Sequence, residues 1–221
     1  MLNIIAGSKK KAKLDVPIIN VRPTSSKKRE AIFSIVESKN LKNKSDIYSD
    51  GYFLDLFAGS GSLGLEAISR GAKYCYFYEI AKEVIETLES NCLKICEYNN
   101  YKIIKKDITK SFFEEIDNPL SVIFIDPPYT LAPFENILHN LLKANLILKD
   151  TIIIIESEKK TKINFPYLMK TIDERYYGKT KIAGLHFRYA HRSIIDHSTL
   201  GLHRKQSFCR CSRCTGGKNC E

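Results

Sequence analysis

The chain predicts an α/β fold built on a doubly wound, mostly parallel sheet, and three features carry that expectation. From Tyr52 onward, short β-branched or aromatic runs alternate with helix-length segments, the pattern of parallel strands joined by right-handed crossovers. A glycine-rich loop, "FAGSGSLG", joins the first of these strands to its helix. Asp55, Glu79, Asp107 and Asp126 each close or follow a strand-like run. Ligands of such sheets bind beyond the carboxyl ends of the strands, so these acids should gather along one edge.

The elements follow in order. "NIIAGSKKKAKLDVPIINVRPT" reads as two short strands around a lysine-rich turn. From Ser25, "SKKREAIFSIVES" places Ala31, Ile32, Ile35 and Val36 at helical spacing behind a Thr24 or Ser25 cap. A polar linker, "KNLKNKSDIYSDG", precedes the strand "YFLDLF" and a helix over about 62–70. "KYCYFYE" is a strand, and a helix covers 81–97. "YKIIKKD" leads to a short helical piece, "SVIFID" is a buried strand, a helix spans about 134–144, and "TIIIIES" is a further strand. "YLMKTIDERYY" and "GKTKIAGLHFRY" form a closing pair. No internal repeat is visible.

Charge is unevenly spread over the 221 residues. Of the net +10, residues 1–50 carry +6 and residues 186–221 carry +5, leaving the centre near neutral. Basic extensions on a neutral body suggest a polyanionic partner, or a solubilising surface. The longest apolar run is strand-sized, which excludes a membrane-spanning helix. "MLNIIAGSKKKAK" places apolar before basic residues, the reverse of a secretory leader, so a cytoplasmic address is expected.

Gly59, Gly61 and Gly64 satisfy G-x-G-x-x-G, and Glu79 follows Gly59 by 20 residues. This spacing points to an adenosine cofactor: glycines admit close backbone approach, and an acid after the next strand accepts from ribose hydroxyls. Asp55 just ahead of the loop would repel a pyrophosphate and suits an ammonium group. The balance moves from a nicotinamide cofactor to S-adenosylmethionine. Asp107 is a candidate acceptor for the adenine amino group or, alternatively, an ordinary helix N-cap.

The second constellation is "IFIDPPY". Pro127 and Pro128 end the sheet ladder and leave Asp126 at a stiff corner beside Tyr129. An exocyclic nucleobase amine is a poor nucleophile; acceptors for both its hydrogens favour a more tetrahedral nitrogen and stabilise the developing charge. The Asp126 carboxylate and a carbonyl at Asp126 or Pro127 are those acceptors, and Tyr129 stacks on an extruded base. No large separate recognition domain follows, which fits a structured RNA substrate read by shape.

These pieces together resemble the bacterial small-subunit ribosomal RNA methyltransferases that modify guanine N2 in 16S rRNA. The matching segments are "IIAGSKKKAKL", "VRPTSSKKREAIFSIV", "FLDLFAGSGSLGLEAISRGA", "IFIDPPY" and "YYGKTKI", in the expected order over about residues 2–185. The resemblance implies a Rossmann-like class I S-adenosylmethionine-dependent methyltransferase fold, with a seven-stranded sheet and an N-terminal β-hairpin. It implies a basic, RNA-facing extension over 1–50 and a methyltransferase domain over 51–188. S-adenosylmethionine would lie on Asp55, Gly59, Gly61, Glu79 and Asp107, and the guanine at Asp126, Pro127 and Tyr129. Arg22, Thr24 and Arg29 would face cofactor or RNA, and Lys9, Lys10, Lys11 and Lys13 would contact phosphates. The partner implied is the assembling or assembled small subunit, met by a monomer. The alternatives are an N6-adenine methyltransferase on DNA or RNA, a nicotinamide oxidoreductase, and a non-catalytic RNA-binding relative.

Residues 189–221 depart from that pattern. Cys209, Cys211, Cys214 and Cys220 are candidate zinc ligands, but C-x-C-x₂-C-x₅-C lacks paired C-x-x-C spacing. The expectation is a disordered tail without a metal site.

Overall fold

The computed structural model of the protein describes residues 2–17, 24–43, 46–110, 113–128, 134–166 and 168–187. The tail and its cysteines lie outside the described residues, as do Arg22 and Tyr129. No helix among the described residues is long and apolar enough to cross a membrane.

The chain opens with an antiparallel hairpin, β1 (Leu2–Asn3) and β2 (Lys13–Leu14), pairing Leu2 with Leu14. Its connecting turn rests on the sheet domain, and Gly7 marks the contact. Gly7 has φ +84°, and a Cβ there would lie 1.8 Å from the Ser69 carbonyl oxygen. Helix α1 (Ser26–Asn43) follows. It is longer than the hydrophobic spacing predicts, because "KNLKN" contains no breaker and Lys, Leu and Asn let the helix run on. The Asn40 side chain then accepts from the Ile47 amide at 3.0 Å, fixing the exit.

Strands β3 (Tyr52–Leu56), β4 (Tyr74–Tyr78) and β5 (Tyr101–Ile104) alternate with α2 (Ser62–Ser69) and α3 (Lys82–Ile95). A 3-10 turn at Ile108–Lys110 precedes β6 (Leu120–Ile125), α4 (Phe134–Lys143), β7 (Ile147–Glu158), β8 (Met169–Tyr177) and β9 (Thr180–Phe187). The seven-stranded sheet has the order β5-β4-β3-β6-β7-β9-β8, parallel except around β9. β7 starts earlier than "TIIIIES" predicts. Its register shifts between Leu120 and Val122, and Thr151 Oγ1 bridges that irregularity by donating to the Leu120 carbonyl at 2.6 Å. Such a bulge admits polar residues into a buried strand.

Successive strands step outward from β3 in one direction and from β6 in the other. The β3–β6 boundary is therefore the topological switch point, where the carboxyl ends part to leave a crevice. Two apolar layers cover the sheet. One joins Phe53, Phe77, Phe124 and Ile154 to α1, α2, α3 and the hairpin. The other joins Leu56, Ile123, Ile125 and Ile153 to α4. Phe33 of α1 meets Phe124 with ring centroids 5.6 Å apart, so the hairpin and α1 share the core of the sheet.

Candidate functional site

The glycine loop leaves β3 at the switch point, through a chain reversal that needs left-handed backbone. Gly59 has φ +56° and Gly61 +80°, values that glycine adopts without steric cost. A Cβ at Gly61 would come within 2.6 Å of Leu88 Cδ1. The third glycine serves packing: a Cβ at Gly64 would sit 2.2 Å from the Phe77 ring, so α2 lies directly on β4.

Asp55 is 2% exposed, and its Oδ2 accepts from the Gly64 amide at 2.8 Å in the first turn of α2. Burial pushes its carboxyl well above the ordinary range, against the lowering hydrogen bond, and the nearby Asp126 and Glu79 add to the rise. Glu79 spans the same loop. One oxygen accepts from Gly59 N at 2.9 Å, while the other accepts from Ile80 N and Ala81 N at 2.8 and 2.9 Å. Asp107 accepts from the amide and hydroxyl of Thr109 at 2.9 and 2.7 Å, which caps the 3-10 turn. These bonds hold its carboxyl below the usual range.

Across the switch point stands Asp126, one residue past β6. Its Oδ2 accepts from the Thr24 hydroxyl at 2.8 Å, so the start of α1 reaches the proline corner. Burial raises the Asp126 carboxyl, while the Thr24 bond and the charge of Lys28 oppose the rise. Pro127 is buried and Pro128 exposed.

Register explains why these acids meet. Asp55 pairs with Phe77 and Phe124, and Ile125 with Ile155. Side chains two residues apart in a strand share a face, so Glu79, Asp55, Asp126 and Glu156 line one face at successive strand ends. Sequence reasoning missed Glu156, although "TIIIIE" repeats the signal of an acid after an apolar run. It also missed Asn91 of α3, which is fully buried. Asn91 accepts from Asp15 N at 2.8 Å and donates to the carbonyls of Asp15 and Ser60 at 3.0 Å. It thereby ties the chain leaving the hairpin to the glycine loop. No signal in the sequence separates Asn91 from other polar helix positions.

Two groups of expected RNA contacts lie elsewhere. Arg29, expected to face cofactor or RNA, is 0% exposed, and its guanidinium meets the chain's own Asn3 and Glu66. Its Nη2 donates to the Asn3 carbonyl at 2.8 Å, and Nη1 lies 3.7 Å from Glu66 Oε2. Glu66, also fully buried, accepts from the amides of Ile5 and Ala6 at 2.7 and 2.9 Å and from Arg70 Nε at 2.9 Å. Lys9, Lys10, Lys11 and Lys13 are exposed. Their turn is pinned to the last residue of α2, with Ser8 N donating to Ser69 O at 2.7 Å and Lys9 N to Ser69 Oγ at 3.0 Å. Helix α2 therefore separates this basic turn from the glycine loop by about 12 Å along its axis.

The residues fit S-adenosylmethionine. The left-handed backbone at Gly59 and Gly61 keeps side chains out of the turn at the carboxyl end of β3, and the acids beside it disfavour a pyrophosphate and favour a cationic ligand. The parallel sheet, its switch-point glycine loop and the acidic carboxyl edge define a Rossmann-like class I methyltransferase fold. A family profile described as Conserved hypothetical protein 95 matches residues 2–186. The Ribosomal RNA small subunit methyltransferase D of Buchnera aphidicola subsp. Acyrthosiphon pisum is 37% identical over 164 residues, covering 74% of this chain and 81% of that protein. The Escherichia coli K12 protein of the same name is 33% identical over 159 residues, covering 71% and 75%. The solved Escherichia coli protein yhhF, described as a candidate methyltransferase, matches with a TM-score of 0.72 at 25% identity, covering 85% of this chain and 98% of its own. The chain belongs to the Conserved hypothetical protein 95 family, which holds these small-subunit rRNA methyltransferase D proteins.

Proposed function

We propose that this protein transfers a methyl group from S-adenosylmethionine to the exocyclic N2 of a guanine in 16S rRNA of the small ribosomal subunit. The observation that carries the reading is the Asp126 carboxylate, held by Thr24 at 2.8 Å across the switch point from the glycine cradle. The names of the family relatives support the RNA substrate.

When bound, S-adenosylmethionine supplies an electrophilic methyl group on a sulfonium. Asp55 provides negative charge for its ammonium, Glu79 accepts from the ribose hydroxyls, Gly59 and Gly61 let the backbone close on it, and Asp107 accepts from the adenine amine. Asp126 and the Pro127 carbonyl accept the two hydrogens of guanine N2, which turns the nitrogen lone pair toward the methyl group. Tyr129 stacks on the extruded base. As N2 becomes cationic, the Asp126 carboxylate takes its proton, a role suited to a carboxyl raised by burial. Thr24 keeps that carboxylate aimed at the base. Lys9, Lys10, Lys11 and Lys13 hold phosphates away from the reacting base, as does Arg22, and the protein works as a monomer on the subunit or its assembly intermediate.

The test uses small subunits from a strain lacking the modification, incubated with the protein and isotopically labelled S-adenosylmethionine. Digestion and mass spectrometry should find label in N2-methylguanosine. Label in N6-methyladenosine would replace the base assignment, and no label would refute the activity.

A further inference from the structure

Lys28 and Glu156 form an ion pair between the first turn of α1 and the end of β7, with side chains only 15% and 4% exposed. Neither residue holds the cofactor in the reading above, and α1 also packs on the sheet through its apolar face. Two observations connect the pair to the site. Glu156 stands one residue past the Ile125–Ile155 pair, beside Asp126 on the neighbouring strand, at a strand spacing of about 4.8 Å. The Lys28 charge also acts on the Asp126 carboxyl, so the ammonium lies between the two acids' fields.

The placement of Lys28 runs against helix preference. The first turn of α1 contains Lys27, Lys28 and Arg29 and no acid, although the positive end of a helix dipole disfavours cations. Arg29 is accounted for by Glu66, whereas Lys28 is committed to the acidic edge. Lys28 is held there against that preference by Glu156, which keeps a cation close enough to act on Asp126.

The chemistry of the edge is specific. Counted from β6 to β7 and up to α1, it offers an acceptor at Asp126, an acceptor at Glu156 and a donor at Lys28. The Watson–Crick edge of guanine offers the complement in the same order: the N2 amine donates, N1–H donates and O6 accepts. Adenine has an acceptor at N1 and an amine where guanine has O6, so it would set a lone pair against Glu156 and a donor against Lys28. We propose that Glu156 and Lys28 read the base, Glu156 accepting from guanine N1–H and Lys28 donating to O6 while Asp126 holds N2. In the free protein Lys28 pairs with one Glu156 oxygen; the base inserts between them, and each charge then has a partner on the base edge. This inference rests on the guanine-N2 reading and gives that reading its selectivity.

The test compares two substrates, reconstituted small subunits carrying guanine or 2-aminopurine at the methylated position. 2-Aminopurine keeps the N2 amine, lacks O6 and has a lone pair at N1. Wild-type protein should prefer guanine by on the order of 10- to 100-fold in kcat/KM, the range of one well-matched base-edge contact. Glu156→Gln supplies an amide that can donate to the N1 lone pair, so the preference should collapse toward unity with S-adenosylmethionine affinity unchanged. Lys28→Met should lower the rate on guanine by a similar factor and leave 2-aminopurine unaffected, since that base has no O6. An equal loss on both bases in both variants would reduce the pair to structural support and overturn the inference. Absence of N2-methylguanosine from the wild-type reaction would instead refute the reading beneath it. Should Glu156→Gln fail to fold, the Lys28→Met comparison decides the question alone.

Discussion

Asp55 carries a carboxyl whose burial costs stability as pH rises. Its carboxyl is fully enclosed and held well above the ordinary value of 3.8, chiefly by burial. A carboxyl raised in the folded state binds its proton more tightly there than in the unfolded chain. Its contribution to stability is therefore greatest at low pH and is lost as pH rises through the folded value. Asp55→Asn keeps an acceptor for the Gly64 amide and removes the titration. Urea denaturation at pH 4 and pH 8 should show the variant gaining on the wild type as pH rises, while calorimetry shows weaker S-adenosylmethionine binding. The place of Asp55, at a strand end ahead of the glycine loop, was legible because it interrupts an apolar run just before the loop. Arg29 was not: a motif arginine looks the same in sequence whether it meets phosphate or a buried glutamate, and only the tertiary contact with Glu66 decides. Glu156 carried a readable signal, an acid closing an apolar strand, but its importance depends on β7 lying beside β6, which the chain order does not state.

At the scale of elements, the hairpin and α1 are fastened to α2 by the charged cluster around Glu66. Three donors converge on this one buried carboxylate, the amides of Ile5 and Ala6 and the Arg70 guanidinium, and Arg29 adds an ion pair at 3.7 Å. Removing one partner of a buried ion pair costs about 3–5 kcal/mol, because the remaining charge stays desolvated. Glu66→Ala should destabilise the protein by that amount in denaturant titrations, and protease should reach the hairpin before the sheet. Strand and helix types were readable from period and spacing, since "IFID" and "TIIIIE" carry few other readings. Element ends were less so. α1 runs on to Asn43 because nothing in a polar stretch stops it, and β7 starts at Ile147 because Thr151 bridges a bulge to Leu120. The second depends on a contact that periodicity does not encode, the Thr151–Leu120 bond between residues 31 apart in sequence.

Over the whole molecule, charge and chemistry occupy opposite ends of α2. The exposed lysines of the hairpin turn sit at its carboxyl end and the glycine loop at its amino end. If those lysines meet phosphates, replacing Lys9, Lys10 and Lys11 with Gln should weaken subunit binding and lower the salt slope by about 0.7–0.9 per lost phosphate contact. S-adenosylmethionine affinity should stay within error, as calorimetry would check. The proposed reaction requires Asp126 to act on the base amine and not on the cofactor. The most direct measurement compares wild type and Asp126→Ala in calorimetric affinity for S-adenosylmethionine and in single-turnover methyl transfer to unmodified small subunits. Similar affinities are expected, with the rate lowered by about 10²–10³, the loss typical of one preorganised electrostatic group. Equal transfer rates in the two proteins would contradict the role proposed for Asp126.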